Sequence, residues 1–269
     1  MGQVLLVVLK NVVYHLVCFG SESRYFSLKA QAMLAAARLG IYEKAYLQLL
    51  PHFVHPGSTV IDVGANFGAY TLVMARLVGA SGKVFAYEPL PPTAAVLARR
   101  FNTTNNVVVL REALSDGEAE AIDLRVPYLP GAVPEPALAA VDPAPWVAAG
   151  LNTWRVFRVP VRRLDDQLAR FHDLSFIKVD VEGHEGEFLA GATEAISRFR
   201  PVLQFETSGI RSHSTAVERW MLSARYVLLV LRNGKLEISS AGTSVGLNVY
   251  VVPEERLRRL PPDLLRRSA

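Results

Sequence analysis

The chain has 269 residues, of which 51% are hydrophobic and 20% are charged. This length suits one large α/β domain or one domain with an appendage, and this composition excludes a mostly disordered chain. The net charge is +4, but the arginine-rich segment 254–269 contains no aromatic residue, so we expect no nucleic-acid partner. Cys18 is the single cysteine, which excludes an intrachain disulfide and is compatible with the cytoplasm, where we expect the protein.

Residues 1–50 are predicted to form an N-terminal helical extension. The first 19 residues are largely apolar, but three polar residues interrupt them, namely Lys10, Asn11 and His15. A membrane-spanning helix requires about 20 mostly apolar residues, so we expect none here. The stretch has no basic leader, which argues against a signal peptide. We expect it to pack on the main domain; contact with a membrane surface is the less favoured alternative.

The main domain is predicted over residues 51–253. Its first strand, Thr59–Val63, is a run of mostly β-branched residues followed by glycine, which is typical of a strand buried on both faces. The predicted elements are strands at 59–63, 83–87, 107–110, 119–126, 176–181 and 201–205, with helices at 69–78, 92–101, 163–171, 187–199 and 214–224. This alternation of strands and helices predicts a doubly wound, largely parallel α/β sheet.

Two segments depart from the alternation. Six prolines fall within residues 127–150, which predicts a Pro- and Ala-rich loop insertion. Near the end, three apolar runs follow one another without a helix between them, at 226–231, 236–239 and 247–252. Asn233-Gly234 separates the first two runs and is a strong hairpin signal. The sequence therefore predicts an antiparallel addition at one edge of the sheet.

A glycine-rich loop, Asp62-Val-Gly64-Ala-Asn66-Phe-Gly68, follows the first strand. In open α/β sheets, ligands bind beyond the carboxyl ends of the strands. The dinucleotide fingerprint G-x-G-x-x-G needs glycine where Asn66 stands, because a side chain there crowds a pyrophosphate. The loop therefore favours S-adenosylmethionine, which has no pyrophosphate, and disfavours an NAD-dependent oxidoreductase. Asp62 could meet the amino group of its methionine part, and Gly64 and Gly68 permit the tight turn.

Further cofactor contacts are predicted after the next two strands. Glu88 ends the second strand, twenty positions past Gly68, where a carboxylate can accept hydrogen bonds from both ribose hydroxyls. Ser115 and Asp116 follow the third strand and would lie beside the adenine. They either hydrogen-bond the base or only cap a turn, and the sequence leaves both interpretations open.

The segment 177–185, Ile-Lys-Val-Asp-Val-Glu-Gly-His-Glu, is an apolar strand that continues into a loop rich in titratable groups. Such a density of carboxylates and histidine is what acid–base chemistry needs. Asp180, Glu182 and His184 are therefore candidate catalytic residues. His184 has the unperturbed pKa nearest neutrality, and Glu182 or Asp180 could orient it. The alternative is an acidic helix start, in which carboxylates only oppose the helix dipole, and we accept it for Glu185 and Glu187.

Three stretches together resemble the FkbM family of S-adenosylmethionine-dependent methyltransferases. They are Val60–Tyr70 with Tyr87-Glu-Pro89, Ala113–Asp116, and Ile177–Glu185. Tyr42-Glu43 and Gln204-Phe-Glu206 also fit. The resemblance implies a Rossmann-like seven-stranded sheet with an antiparallel last strand, and S-adenosylmethionine as the cofactor. It also implies cofactor contacts for Glu43 and Asp180, and O-methylation of a hydroxyl on a sugar, glycoconjugate or small-molecule natural product.

Two further questions depend on the acidic segment. A non-catalytic S-adenosylmethionine-binding module is the alternative function, and Asp180, Glu182 and His184 argue against it. Oxygen ligands suit magnesium, so a divalent metal at Asp180, Glu182 or Glu206 is chemically possible. The spacing of these residues does not demand a metal, and we expect none.

Overall fold

A computed structural model describes most of the chain. The described residues are 17–18, 20–128, 136, 139–142, 144, 147, 153–206, 220–239 and 248–266. The helices are α1 (Glu22–Arg38), α2 (Lys44–Leu47), α3 (Ala69–Val78), α4 (Pro91–Phe101), α5 (Glu185–Ala190), α6 (Thr193–Phe199) and α7 (Glu254–Leu257). The strands are β1 (Thr59–Val63), β2 (Lys83–Tyr87), β3 (Val107–Leu110), β4 (Ala113–Leu114), β5 (Ala121–Pro127), β6 (Trp154–Arg162), β7 (Leu174–Val179), β8 (Val202–Glu206), β9 (Tyr226–Arg232), β10 (Lys235–Ile238) and β11 (Asn248–Pro253).

The main sheet has the strand order β10-β9-β11-β8-β7-β1-β2-β3. The five strands from β8 to β3 run parallel to one another. β11 is antiparallel to both of its neighbours, β8 and β9. The predicted doubly wound α/β sheet with an antiparallel last strand is therefore confirmed.

The hairpin at the end of the chain explains one difference from the prediction, the number of strands. Asn233 and Gly234 both have positive φ, as a tight hairpin turn requires, and they place β10 outside β9. The sheet therefore has eight strands instead of seven. The other side of β9 pairs with β11, so β10, β9 and β11 form the predicted antiparallel addition at one edge of the sheet.

The parallel strands are apolar because both faces of the sheet are covered. Alternate residues of β1 enter different clusters: Val60 packs with Met74 and Val78 of α3, whereas Ile61 packs with Phe188 and other residues on the opposite face. This arrangement explains why β1 is a continuous apolar run instead of an alternating one. It also places the carboxyl ends of the strands together at one edge of the sheet.

Both predicted terminal segments pack on the main domain where the structure describes them. α1 contacts α3 and α4, and buries Tyr25 and Phe26. At the other end, Leu260 and Leu264 are buried in the cluster that covers one face of the sheet, so this part of the arginine-rich segment is not a free tail. Residues 1–16 lie outside the described part of the chain. Within the described part, no helix is long and apolar enough to cross a membrane.

A second, three-stranded sheet was not predicted. β6 pairs with β4 in parallel and with β5 in antiparallel register. Pro160 lies within β6 opposite Ala121, and a proline inside a candidate strand argues against a strand in sequence analysis. Much of the predicted 127–150 insertion lies outside the described residues, but Ala140 pairs with Arg125 of β5.

The helical boundaries after β6 also differ from the prediction. The predicted helix 163–171 is a 3-10 helix at Asp165–Arg170. The predicted helix 187–199 is two helices, α5 and α6, separated at Gly191. A side chain at Gly191 would meet the Ser115 carbonyl oxygen at 1.8 Å, so glycine lets this break pack tightly against the loop after β4.

Candidate active site

A cavity of about 260 Å³ opens at the carboxyl ends of the parallel strands. This volume is near the lower end of the range for small-molecule sites, about 300–1,000 Å³. Its polar wall includes Glu43, Asn66, Glu88, Asp180, Glu182, His184, Glu206 and Asn248. Its apolar wall includes Leu90, Leu114, Ile122, Leu124 and Val141. The cavity thus collects residues from nine separate parts of the chain at the sheet edge where ligands bind in such folds.

Gly64 allows the loops after β1 and β7 to meet. Its φ is +74°, and a β-carbon there would lie 1.9 Å from the carbonyl oxygen of Asp180. The Asp180 N–H also donates to the Val63 carbonyl at 3.1 Å. Because no side chain fits between these backbones, glycine at 64 is required by the fold itself as well as by any ligand.

Gly68 has the positive φ that the predicted tight turn requires, and it has a packing task as well. Its φ is +86°, and a β-carbon there would clash with Leu97 and Phe101 of α4. Gly68 is not part of the described cavity wall. It therefore permits close packing of α3 against α4, and a direct cofactor contact by Gly68 stays a prediction.

Asp62 lies behind the glycine-rich loop. Its carboxylate is 2% exposed and accepts a 2.5 Å hydrogen bond from the Thr71 hydroxyl. Burial raises the pKa of Asp62 to about 6, although the Thr71 hydrogen bond and the Lys178 charge act in the other direction. Asp62 is absent from the described cavity wall, so it supports the loop from within, and its predicted contact with an amino group remains a prediction.

Glu88 joins the β2 end to the glycine-rich loop. One carboxylate oxygen accepts a hydrogen bond from the Asn66 N–H at 2.8 Å, and the other accepts one from the Leu90 N–H at 2.9 Å. Burial raises the pKa of Glu88 to about 7 in spite of these two bonds. The carboxylate also lines the cavity, so the structure places it where the sequence predicted.

These residues fit S-adenosylmethionine in two respects. A carboxylate offers about four lone-pair sites, and the two backbone bonds to Glu88 leave two of them for a ribose diol. Asn66, whose φ is +51°, has a buried side-chain oxygen without a hydrogen-bond partner and lines the same cavity. A buried polar atom normally has a partner, so this oxygen is consistent with a polar ligand in the cavity.

The structure separates Ser115 and Asp116 from the cavity and brings Ser115 to His184. The Ser115 hydroxyl lies 2.8 Å from His184 Nε2 and 3.2 Å from the Asp116 carboxylate. Asp116 also accepts a hydrogen bond from the Glu118 N–H, as a turn-capping residue does. Neither Ser115 nor Asp116 belongs to the described cavity wall, whereas Leu114 does. The arrangement therefore supports the capping interpretation.

His184 contacts two residues that were not predicted as its partners. It precedes α5, and its side chain is 15% exposed. Ser115 contacts one ring nitrogen, and the Glu187 carboxylate lies 3.5 Å from the other. Orientation of the ring by Glu182 or Asp180 stays a prediction. Sequence analysis had assigned Glu187 only to the helix dipole, and nothing in the sequence linked Ser115 to His184.

Three carboxylates gather at the ends of β7 and β8. Asp180, Glu182 and Glu206 each present an oxygen within 4.8 Å of the others. Burial, together with the Asp180 charge, raises the pKa of Glu182 to about 7 and that of Glu206 to about 8. Burial also acts to raise the pKa of Asp180, but the Lys178 charge and hydrogen bonds from Lys178 and Glu206 outweigh it, so that pKa is lowered.

Sequence analysis missed Lys178 and a polar network beside it. The Lys178 ammonium is buried and lies 2.8 Å from the Asp180 carboxylate. Glu43, as predicted, lines the cavity; its carboxylate accepts hydrogen bonds from the Tyr70 hydroxyl at 2.7 Å and the Asn248 amide at 3.0 Å. A lysine within an otherwise apolar strand was a usable signal, because such a lysine needs a buried partner.

Comparison with known proteins gives the family. The model of the methyltransferase FkbM domain matches residues 62–228, which is more than half of the chain. The chain belongs to the FkbM methyltransferase family. The match confirms the predicted family, whose domain model is that of a methyltransferase.

The similar proteins are also methyltransferases. Ribosomal protein L11 methyltransferase of Bacillus cytotoxicus is 34% identical over 84 residues, which are 31% of this chain. This chain spans 27% of the length of that relative. Among solved structures, methyltransferase FkbM from Methylobacillus flagellatus is 17% identical, with a TM-score of 0.45 over 89% of this chain and 59% of that one. An O-methyltransferase from Bacillus cereus, in complex with SAH, is 14% identical, with a TM-score of 0.43 over 91% and 97% of the two chains.

The buried carboxylates of this methyltransferase predict an unusual pH dependence of stability. The pKa values of Asp62, Glu88, Glu182 and Glu206 are raised to between about 6 and about 8. The folded protein therefore binds more protons than the unfolded chain above about pH 4, and its stability should fall as the pH rises from about 5 to about 8. Melting temperatures of the ligand-free protein across this window measure the effect.

Glu182→Gln should make this decrease shallower, because it removes one group that must ionise. Glu118→Gln is the control, since Glu118 is exposed. The pKa of Asp180 is lowered, so the ionisation of Asp180 makes stability rise with pH, but only at pH values below this window. A melting temperature that rises between pH 5 and pH 8 would contradict the assignment of these buried carboxylates.

Proposed function

We propose that this FkbM-family methyltransferase methylates a hydroxyl group on a sugar, a glycoconjugate or a small-molecule natural product. One observation carries the proposal: His184, Glu182 and Asp180 line the same cavity as Glu88. A hydroxyl must lose its proton during or after its attack on the methyl group, and a cavity wall that holds an imidazole and a carboxyl group with a raised pKa, that of Glu182, can receive this proton.

The donor end of the cavity is assigned to Glu88, Asn66 and Gly64. S-adenosylmethionine supplies an electrophilic methyl group on a sulfonium centre. The Glu88 carboxylate would hold the ribose hydroxyls with its free lone pairs, while Gly64 keeps the loop backbone open beside Asp180. Leu114, Ile122 and Leu124 present the apolar surface that a flat ring requires. Holding donor and acceptor in line is the main contribution of such a site to the rate.

The acceptor end offers two groups that can take the proton. His184 lies between Ser115 and Glu187. It can take the proton in one of two ways. The acceptor hydroxyl can replace Ser115 as its hydrogen-bond partner, or the Ser115 hydroxyl can pass the proton on to the imidazole. Glu182 has a pKa raised to about 7 by burial, which suits a base near neutral pH. Asp180 is held ionised by Lys178 and serves to fix the loop and the local charge.

The acceptor class is tested with a panel of matched compounds. Isotopically labelled S-adenosylmethionine is incubated with sugars, glycoconjugates and natural-product alcohols, and with analogues in which one hydroxyl is replaced by hydrogen or by an amine. Label should appear on oxygen in at least one hydroxyl compound and be lost in its deoxy analogue. Transfer only to amines, or only to a protein such as ribosomal protein L11, would overturn the proposal.

Glu88→Ala should weaken the binding of S-adenosylhomocysteine without unfolding the protein. Hydrogen bonds to a charged group contribute about 1.5–3 kcal/mol, so the dissociation constant should rise roughly ten- to a hundredfold. Isothermal titration calorimetry measures the change, with Glu118→Gln as the control. An unchanged dissociation constant in a variant with a normal melting temperature would remove Glu88 from the cofactor site.

His184→Ala and Glu182→Gln decide which group is the base. The true base should lose about 10²–10⁴ in single-turnover rate when it is removed, with little change in S-adenosylhomocysteine affinity. A group with only a structural task should instead lower melting temperature and affinity together. Ser115→Ala adds a check on His184, because it frees one ring nitrogen without removing the imidazole. If both variants transfer methyl groups at the normal rate, the mechanism needs only alignment of donor and acceptor.

A further inference from the structure

The carboxylates of Asp180, Glu182 and Glu206 lie close to the distances that a bound cation requires. Each offers an oxygen within 4.8 Å of the others. Oxygens bound to magnesium at about 2.0–2.1 Å lie within about 4.2 Å of one another, and calcium ligands at about 2.3–2.6 Å lie within about 5.2 Å. Small side-chain rotations therefore suffice to bring all three oxygens onto one ion.

The charges around these carboxylates are not balanced by the described side chains. Lys178 contacts Asp180 at 2.8 Å and is the cation that influences all three carboxyl groups. When the three are ionised, two negative charges remain for the cavity to compensate. A divalent cation has the matching charge, and three carboxylates are the ligand type that magnesium, manganese and calcium prefer.

A second and independent observation comes from Asn248. Asn248 is 3% exposed. It lies opposite Glu206 in the pairing of β11 with β8, and it lines the same cavity as the three carboxylates. Its amide nitrogen donates to Glu43, which leaves a side-chain oxygen that is buried and has no hydrogen-bond partner. Buried polar atoms without partners are rare in folded proteins. An ion, or a water bound to it, would satisfy this oxygen.

We propose that Asp180, Glu182 and Glu206 bind one divalent cation of the magnesium and manganese class, with the Asn248 side-chain oxygen as a direct or water-mediated ligand. The sequence predicted no metal, because the spacing of 180, 182 and 206 along the chain is not a metal motif. The parallel pairing of β7 with β8, which brings the ends of both strands to one edge, creates the site.

The position of the site has a consequence that rests on the proposed function. The cation would lie at the acceptor end of the cavity, beside Glu182 and His184. There it would bind the acceptor oxygen and favour its deprotonation, and it would select acceptors with two neighbouring oxygens. Binding of the cation itself does not depend on methyl transfer.

Manganese binding to the full-length protein tests the proposal directly. The protein is treated with a chelator, dialysed, and titrated with Mn²⁺ alone, and free Mn²⁺ is followed by electron paramagnetic resonance. One saturable site is expected, and Mg²⁺ should displace the manganese from it. Glu206→Gln and Asp180→Asn should each weaken binding by about tenfold or more, since even residues that only support metal ligands contribute about 10–100-fold.

Two further variants keep the test interpretable. Glu182→Gln changes a loop residue whose side chain is partly exposed, so it should preserve the fold if the strand variants do not. Glu118→Gln, which removes one exposed carboxylate elsewhere, should leave Mn²⁺ affinity unchanged. Asn248→Leu should weaken binding less than the carboxylate variants. No saturable site in the wild-type protein, or equal affinity in Glu182→Gln and the wild type, would overturn the proposal.

The metal proposal and the proposed function can fail separately. Methyl transfer to a hydroxyl in the presence of excess chelator, together with no Mn²⁺ site, would leave the function standing and remove the metal. A Mn²⁺ site lost in Glu206→Gln, together with no transfer to any hydroxyl of the panel, would keep the metal and remove the proposed acceptor class.

Discussion

The close approach of two backbone segments underlies the whole site. The loop after β1 passes so near to the loop after β7 that a β-carbon at Gly64 would overlap the Asp180 carbonyl oxygen. The Gly64 N–H and the Ala65 N–H also donate to the Tyr87 carbonyl at 2.9 Å, which fixes the same loop to the end of β2. Because one glycine joins three strand ends, Glu88 and the Asp180 carboxylate can line one cavity although they lie far apart in the sequence.

That packing buries several acidic side chains, and few positive charges among the described residues lie beside them to stabilise their ionised forms. Lys178 is the buried ammonium beside Asp180, and Asp62 behind it depends on the Thr71 hydroxyl. The remaining carboxylates, at 88, 182 and 206, have raised pKa values because burial disfavours their ionised forms. Groups that burial makes costly to ionise are suited to receive a proton or to bind a cation.

The sequence predicted the parallel core well, because its strands are short and largely apolar runs without polar alternation. The predicted bounds of β1, β2, β3 and α3 match the structure. Contacts that depend on distant pairing could not be predicted from the sequence. Asn248 reaches Glu43 across 205 positions, and Ser115 reaches His184 across 69. Neither pair has a local pattern, because only the order of strands in the sheet brings the partners together.

Backbone strain marks the same cavity independently of its charges. Among the described residues, six non-glycine positions have a positive φ, and three of them, Glu43, Asn66 and Glu182, line the cavity. A left-handed conformation costs a residue with a β-carbon roughly 1–2 kcal/mol, and glycine would avoid that cost at each position. The side chains at these three positions make contacts that glycine cannot make. Glu43 accepts two hydrogen bonds, and Asn66 presents a buried oxygen. Glu182 belongs to the cluster of three carboxylates. Strain of this kind persists where the surrounding packing enforces it, and it concentrates at functional sites.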